Sequence, residues 1–353
     1  MPRACGPGLG PGVYDGDVPV PSSSRGLSIV ALVVAAGGCA SNPATPDAPS
    51  SAWQLGPAMP RPALHPGVAL LGQQVVVAGG FDSAAGVTAR VDGFDISDAT
   101  WHALPDAPVQ WTDINLAVAG ATLYLAGGLD AAGVAHGESY QLDPIDQQWK
   151  PIAAIDPAEA RGGAGVTTAM GRIYLLGGAD AGGPLASSVE YDLPADTWTP
   201  ILPDLPVARV HPAVMRMVDG TLIVAGGFAS LDASQPLADV WALAPPGAVD
   251  RAWQPRAAMP AGARGDCAYG VVLGELVCAG GQSGADRDGI VASYNPYLDA
   301  WTPREAMPVA RAGTQGTAAG GRLFVPGGSG STALEPTDTL YIYTPLDTAA
   351  RRP

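Results

Sequence analysis

The sequence predicts an all-β protein whose six similar units close into a ring, and this prediction rests on composition and on two periodic markers. Among its 353 residues there are 47 Gly and 35 Pro, and 47% of the residues are hydrophobic. So many Gly and Pro residues disfavour long helices, and together with abundant apolar residues they favour short strands joined by tight turns. The two markers divide the chain into repeats, which decides the fold class.

The first marker is a glycine pair that ends a short apolar run. Six pairs recur at intervals of 47 to 54 residues, at Gly79–Gly80, Gly127–Gly128, Gly177–Gly178, Gly226–Gly227, Gly280–Gly281 and Gly327–Gly328. The second marker is a tryptophan that recurs at intervals of 48 to 55 residues, at Trp53, Trp101, Trp149, Trp198, Trp253 and Trp301. Because two independent markers share one period, the units are repeats of one structure.

A third feature gives the repeat its resemblance to a known family. An aromatic residue precedes the tryptophan of five units, at Phe94, Tyr140, Tyr191, Trp241 and Tyr294. The combination resembles the kelch repeat and extends from Trp53 to about Thr344. The resemblance implies a six-bladed β-propeller. A unit of about 49 residues has room for the four short strands of a blade, which we expect in the third unit at GAGVTTAM, RIYLLGG, SVEYDL and TWTPI.

The order of the markers predicts how the ring closes. The first tryptophan strand, Ser51 to Leu55, has no glycine-pair strand before it, and the last strand, Leu340 to Tyr343, has no tryptophan strand after it. We therefore expect the N-terminal strand to complete the sixth blade. On this interpretation residues 53–345 form the propeller and residues 346–353 form a C-terminal tail.

The first 52 residues predict export. An apolar run, Leu27 to Ala36, follows Arg25 and is too short to span a bilayer, as is typical of a signal peptide. Residues 1–38 are therefore interpreted as a signal sequence, of which residues 1–24 fit a start codon assigned too far upstream. The small residues before Cys39 resemble a lipoprotein signal, which implies lipidation of Cys39 and a lipid anchor in the cell envelope. The alternative is a plain secretory signal. Residues 39–52 are expected to be a tether.

Charge excludes one class of partner. The net charge is −15, with 18 Lys and Arg against 33 Asp and Glu, and Lys150 is the single lysine. Nucleic acids need a basic surface, so neither DNA nor RNA is expected to bind. We expect contact with a membrane only through the lipid anchor.

Arginines near the start of the inner strands are the candidate ligand-binding residues. They stand 16 to 18 residues before a glycine pair, at Arg61, Arg161, Arg209, Arg264 and Arg311. The second unit has Trp111 near this place. On a propeller these residues predict a ring around the channel that binds an anionic ligand through paired guanidinium hydrogen bonds. The alternative is structural: each arginine pairs with local acids, such as Glu159 and Asp266, or with turn carbonyls.

The histidines and cysteines predict neither a metal centre nor a disulfide. His65 and His211 occupy equivalent places in the first and fourth blades, which puts them on opposite sides of the ring, and no metal-ligand spacing is present. With the hairpin turn placed at Gly274 and Glu275, Cys267 lies about 13 Å beyond the partner of Cys278, since a strand rises roughly 3.3 Å per residue. We therefore expect buried free thiols.

The sequence identifies the fold of the protein more clearly than its ligand. It contains no nucleophile elbow, phosphate-binding glycine loop or metalloprotease helix, so we assign no catalytic residue and no cofactor. The leading hypothesis is a monomeric, non-enzymatic envelope propeller that binds a protein or a glycan. The first alternative is a carbohydrate-active enzyme, because periplasmic kelch proteins include sialic-acid mutarotases. The second alternative is a structural envelope protein.

Overall fold

The structure, a computed structural model, describes residues 51–346, which form a β-propeller. In chain order the strands are β1 (Trp53–Leu55), β2 (Gly67–Leu71), β3 (Gln74–Ala78), β4 (Phe81–Asp82), β5 (Gly86–Val87), β6 (Val91–Asp95), β7 (Thr100–Leu104), β8 (Leu116–Ala119), β9 (Thr122–Leu129), β10 (Ala135–Leu142), β11 (Trp149–Ile152), β12 (Gly165–Ala169), β13 (Arg172–Leu176), β14 (Ala179–Asp180), β15 (Gly183–Pro184), β16 (Ser188–Asp192), β17 (Thr197–Pro200), β18 (Ala213–Arg216), β19 (Leu222–Ala225), β20 (Val240–Leu243), β21 (Trp253–Arg256), β22 (Ala268–Val272), β23 (Glu275–Ala279), β24 (Gln282–Ser283), β25 (Asp286–Arg287), β26 (Val291–Asn295), β27 (Ala300–Pro303), β28 (Thr317–Ala319), β29 (Arg322–Pro326) and β30 (Leu340–Tyr343). A single turn of 3-10 helix, Pro157–Glu159, lies between β11 and β12.

Six four-stranded antiparallel sheets form the blades, as the repeat predicts. From the axis outward they are β2-β3-β6-β7, β8-β9-β10-β11, β12-β13-β16-β17, β18-β19-β20-β21, β22-β23-β26-β27 and β28-β29-β30-β1. The innermost strands β2, β8, β12, β18, β22 and β28 contact one another in cyclic order, and β28 contacts β2. The ring is therefore closed, and the innermost strands surround its axis.

The N-terminal strand closes the ring in the last blade, which confirms the prediction. In β1, Trp53 pairs with Tyr343 and Leu55 pairs with Tyr341, both in β30. Trp53 is buried against the rings of these two tyrosines, at centroid distances of 5.0 and 6.0 Å. The two ends of the propeller are thus held in one sheet.

A hydrogen bond from each repeated tryptophan connects its blade to the preceding blade. Each indole Nε1–H donates to a backbone carbonyl just beyond the outer strand of the preceding blade. The acceptors are Glu305 for Trp53, Pro57 for Trp101, Pro105 for Trp149, Ala153 for Trp198, Pro203 for Trp253 and Ala257 for Trp301, all at 2.9 to 3.0 Å. The Trp period thus reflects one contact between blades, repeated six times, and the bond from Trp53 closes the set.

In five of the six blades the glycine pair follows the second strand and turns the chain, while in the second blade β9 continues through its pair to Leu129. Gly79 has φ +61° and Gly80 has φ +83°. A Cβ on Gly79 would lie 2.5 Å from the carbonyl oxygen of Trp111 in the next blade. Glycine is needed here because only glycine combines a positive φ with so close a backbone approach.

A disulfide joins Cys267 and Cys278, so the prediction of free thiols is wrong. The hairpin of β22 and β23 turns one residue earlier than the sequence indicated, since Val272 pairs with Glu275. Cys278 consequently lies opposite Tyr269, only two residues from Cys267, and the two Cα atoms are 5.6 Å apart. That distance lies within the range that a disulfide spans.

The predicted signal sequence, Cys39 and nearly all of the tether lie outside the described residues. Within residues 51–346 the structure has no helix long and apolar enough to cross a membrane.

Candidate functional site

Six equivalent residues form a narrow backbone ring around the axis, just before the innermost strands. All have a positive φ between +51° and +75°; they are His65, Asp113, Gly163, His211, Asp266 and Gly313. The backbone N–H groups of five of them donate to the carbonyl of the equivalent residue in the preceding blade, at 2.7 to 3.1 Å. These bonds fix the six backbones close to one another, so the side chains at these positions meet on the axis.

Two histidines and two aspartates alternate inside this ring. Asp113 Oδ1 lies 3.0 Å from His65 Nδ1 and 2.7 Å from His211 Nε2. On the other side Asp266 faces the remaining ring nitrogens, at 3.4 Å from His65 Nε2 and 4.0 Å from His211 Nδ1. The two imidazole centroids are 4.9 Å apart. We call these four residues the axial cluster.

The axial cluster corrects the prediction that His65 and His211 lie apart. Blades one and four do face each other across the ring, but at the axis the separation is small enough for their side chains to meet. Gly163 and Gly313 provide the space. A Cβ at Gly163 would lie 2.6 Å from the His211 ring, and a Cβ at Gly313 would lie 2.9 Å from the His65 ring.

Charge and burial shift the pKa values of the axial cluster in opposite directions. Burial alone would lower the pKa of His65, but the negative charges and hydrogen bonds of Asp113 and Asp266 raise that pKa well above its usual value. Burial alone would raise the pKa of Asp113, but the adjacent imidazoles of His65 and His211 hold it well below its usual value. Near neutral pH the pair of His65 and Asp113 is therefore ionised.

A pocket opens directly above the axial cluster. It has a volume of about 310 Å³, and His65, His211 and Asp266 line its floor. Its walls come from blades four, five and six, and they combine apolar residues with polar ones: Phe228, Leu231, Asp232, Gln282, Arg287 and Leu334. We call this the axial pocket. The loops 81–88, 129–135, 179–184, 228–236, 282–287 and 329–336, which follow the second strands of the blades, define the loop face around it.

Tyr269 divides the channel below the axial cluster. Its hydroxyl accepts from the N–H of Val166, across the axis in blade three, at 2.9 Å. Because burial disfavours the phenolate, the pKa of Tyr269 rises to about 12. Above this bridge lies a cavity of about 20 Å³, and below it a cavity of about 280 Å³ opens towards the opposite face. The axial pocket is therefore separate from the lower cavity.

The structure places the candidate arginines inside the blades. Arg161 and Arg209 have no exposed side-chain surface, and Arg61, Arg264 and Arg311 are also buried. Three of these guanidinium groups donate to the carbonyl of the first glycine of a pair: Arg61 to Gly79 at 3.1 Å, Arg161 to Gly177 at 2.9 Å and Arg209 to Gly226 at 2.9 Å. These three arginines thus hydrogen-bond the backbone at a glycine pair, whereas the side-chain nitrogens of Arg264 have no hydrogen-bond partner among the described residues.

Four of the five arginines also contact an acidic side chain or an aromatic ring. Arg61 bonds to Asp92, Arg161 to Glu159, and Arg209 to both carboxylate oxygens of Asp239. The guanidinium of Arg311 lies 5.4 Å from the centroid of the Tyr341 ring. These contacts are those expected from the structural alternative, and ligand binding by the arginine ring stays a prediction.

Two of the predicted site residues differ from the rest. Arg61 reaches its glycine carbonyl from a position two residues earlier than the other arginines, because Ala63 occupies the equivalent place in blade one. Arg61 also lines a separate pocket of about 390 Å³ on the loop face. Trp111 is buried and stacks on His136, with ring centroids 4.9 Å apart. Trp111 thus fills space within its blade.

The family follows from a comparison with protein-family models. Residues 65–281 match the model described as the KLHDC2/KLHL20/DRC7 Kelch-repeats domain. The chain belongs to the kelch-repeat family. The match covers five of the six glycine pairs, so it agrees with the period found in the sequence.

Similar proteins come from different organisms and differ in length. Kelch-like protein terF of Aspergillus terreus is 24% identical over 350 residues, covering 90% of this chain and 73% of that protein. Human Kelch-like protein 34 is 27% identical over 241 residues, which cover 64% of this chain but only 36% of that protein. The solved structure titled "Structure of YjhT" has a TM-score of 0.70 at 15% identity and covers 83% of this chain and 98% of that one. This last likeness supports the kelch propeller fold.

Proposed function

We propose that the protein is a non-enzymatic recognition propeller of the cell envelope that binds a protein ligand, or a glycan, at its loop face. The observation that carries the proposal is the axial pocket of about 310 Å³. It is concave, and its walls, which come from three blades, mix apolar side chains with Arg287, Gln282 and Asp232. Binding sites in proteins commonly combine an apolar wall with a few polar groups in this way.

Exposed apolar side chains on the loop face favour a protein ligand. Leu231 is 57% exposed and Leu334 is 46% exposed, and both line the axial pocket. Phe81 and Val134 are exposed on loops of the same face. Large apolar side chains that stand together at a concave surface are typical of protein interfaces.

Export and a lipid anchor complete the proposal. The Cys267–Cys278 disulfide supports export, because disulfides persist mainly in oxidising compartments outside the cytosol. The apolar run before Cys39 supports anchoring. The protein is then a monomer tethered to the envelope. The substitution Cys39→Ala should release a folded, exported protein from the membrane fraction. A wild-type protein that is already soluble after export would contradict the lipid anchor.

The ligand-binding proposal is tested by charge substitutions on the two faces. An envelope extract and a glycan array are probed with the wild-type protein, with Leu231→Asp plus Leu334→Asp, and with Leu273→Asp. Leu273 is 79% exposed at the β22–β23 turn, on the opposite face, so it is the matched control. We expect the wild-type protein and Leu273→Asp to retain a ligand that the double variant at Leu231 and Leu334 does not retain. Equal retention by all three proteins would contradict the proposal.

One observation favours an enzyme as the second candidate function. The axial cluster places imidazole and carboxylate groups at the floor of a pocket, and these are the usual groups of general acid–base catalysis. The second candidate is therefore a carbohydrate-active enzyme similar to a sialic-acid mutarotase. Exchange between the anomers of free sialic acid is measured by NMR with the wild-type protein and with His211→Gln. Faster exchange with the wild type alone would support the enzyme, and no acceleration by the wild type would exclude this reaction.

A further inference from the structure

We propose that His65, Asp113 and His211 bind a divalent first-row transition-metal ion, with zinc as the representative ion, on the axis of the propeller. One donor atom from each of the three residues lies within 4.8 Å of the other two. Two imidazole nitrogens and a carboxylate oxygen are ligands that zinc and its neighbours accept at about 2.0–2.2 Å. Three protein ligands leave a further coordination position open.

The distances between the donor atoms show how far the side chains must move to bind an ion. His65 Nδ1 and His211 Nε2 both point at Asp113 Oδ1, at 3.0 and 2.7 Å. Ligand atoms of a tetrahedral zinc site stand roughly 3.3 Å apart when each bond is about 2.0–2.1 Å. Each imidazole nitrogen therefore needs to move away from Asp113 Oδ1 by only a few tenths of an ångström, and an ion then takes the place of the N–H hydrogens directed at that oxygen.

Asp266 faces both imidazoles from the far side and lies within hydrogen-bond reach of His65. It lies 3.4 Å from His65 Nε2 and 4.0 Å from His211 Nδ1, which are the ring nitrogens that face away from Asp113. Histidine ligands of metals usually give their other N–H to a carboxylate, which fixes the tautomer and the ring orientation. Metal binding displaces the proton that keeps His65 charged in the metal-free protein, so that both imidazoles become neutral and the divalent ion balances the two negative charges of Asp113 and Asp266.

The surroundings provide a rigid frame, an entrance and room for a water molecule near the cluster. The backbone ring fixes the positions of all four residues, and Gly163 and Gly313 leave the imidazoles unobstructed. The axial pocket reaches the cluster from the loop face. The cavity of about 20 Å³ beneath it, lined in part by His211 and Asp266, is large enough for one water molecule.

The experiment measures metal binding by the folded wild-type protein. The full chain is stripped with a chelator, equilibrated with zinc and analysed for metal content and by calorimetry; cobalt then reports the ligand set through its visible absorption. We expect one zinc per chain and a cobalt spectrum typical of nitrogen and oxygen ligands. A folded wild-type protein without stoichiometric zinc would overturn the proposal and leave the axial cluster as a hydrogen-bonded ion-pair network only.

Substitutions locate the ion. His65→Gln and His211→Gln should abolish stoichiometric binding, while Asp266→Asn should weaken it about 10–100-fold, as expected when an orienting carboxylate is lost. His136→Gln is the matched control, because His136 contacts Asp130 and Glu138 away from the axis. Melting temperatures show that each variant is folded. Zinc binding that survives both axial histidine substitutions, or that is lost in His136→Gln, would overturn the proposal.

Discussion

The replacement Trp53→Ala tests whether the N-terminal strand closes the propeller. Trp53 is only 6% exposed, contacts Tyr341 and Tyr343, and donates from Nε1 to the Glu305 carbonyl at 3.0 Å. A buried tryptophan removes about 200 Å² from water, which at about 25 cal/mol per Å² corresponds to roughly 5 kcal/mol. Measured losses for Trp→Ala in protein cores are about 3–5 kcal/mol, so we expect a loss in that range.

Urea unfolding followed by far-ultraviolet circular dichroism measures this loss. Leu55→Ala is the control, because Leu55 lies in the same strand but is 70% exposed, and it should change the free energy of unfolding by less than about 0.5 kcal/mol. The loss of stability for Trp53→Phe should lie between those for Trp53→Ala and Leu55→Ala. Phenylalanine keeps most of the apolar surface but loses the indole hydrogen bond, which contributes about 1 kcal/mol. Equal unfolding midpoints for the wild type and Trp53→Ala would refute the closure by β1.

Three further predictions follow from buried contacts. Arg209→Ala should destabilise the protein by about 3–5 kcal/mol in urea unfolding, because it removes the charged partner of Asp239 and a donor to the Gly226 carbonyl; a change below about 0.5 kcal/mol would contradict the structural role. Reduction of the Cys267–Cys278 disulfide should lower the free energy of unfolding by about 2–3 kcal/mol, and an unchanged midpoint with reductant would contradict the bond. Folding raises the pKa of Tyr269 to about 12, so the stability that the protonated phenol contributes is complete below about pH 10 and is lost as the pH rises towards 12. The free energy of unfolding should therefore fall less over this pH range in Tyr269→Phe than in the wild type. Equal falls in the two proteins would contradict the burial of the Tyr269 hydroxyl.

The fold could be predicted because its markers repeat. Each tryptophan makes the same hydrogen bond to the preceding blade, and in five blades the glycine pair turns the chain after the second strand. A contact that recurs in every blade leaves a period in the sequence. The closing strand could be predicted for the same reason, since the repeat is incomplete at both ends.

The axial cluster could not be predicted because it depends on the diameter of the ring. His65 and His211 stand in equivalent positions, each followed by proline, and that equivalence is visible in the sequence. What the sequence lacks is the distance across the axis, which the backbone ring and the two glycines determine. The disulfide could not be predicted because a two-residue error in strand pairing moves Cys267 out of reach of Cys278.

The arginines show a different limit of sequence analysis. Their spacing predicts a common position but not whether that position faces the channel or the blade interior. The structure shows buried guanidinium groups that bond to glycine carbonyls and nearby acids. The residues with exposed surface over the axis, such as Leu231 and Leu334, lie in loops whose length and composition differ from blade to blade, so no period marks them.

Site-specific photo-crosslinking in intact cells tests recognition at the loop face most directly, because it captures a ligand of any chemical class. A photo-reactive amino acid replaces Leu231 in one protein and Leu273, on the opposite face, in another. Recognition at the loop face predicts a discrete adduct with an envelope component from position 231 and none from position 273. Adducts from position 273 alone, or from neither position while the protein is folded and exported, would contradict the proposed function.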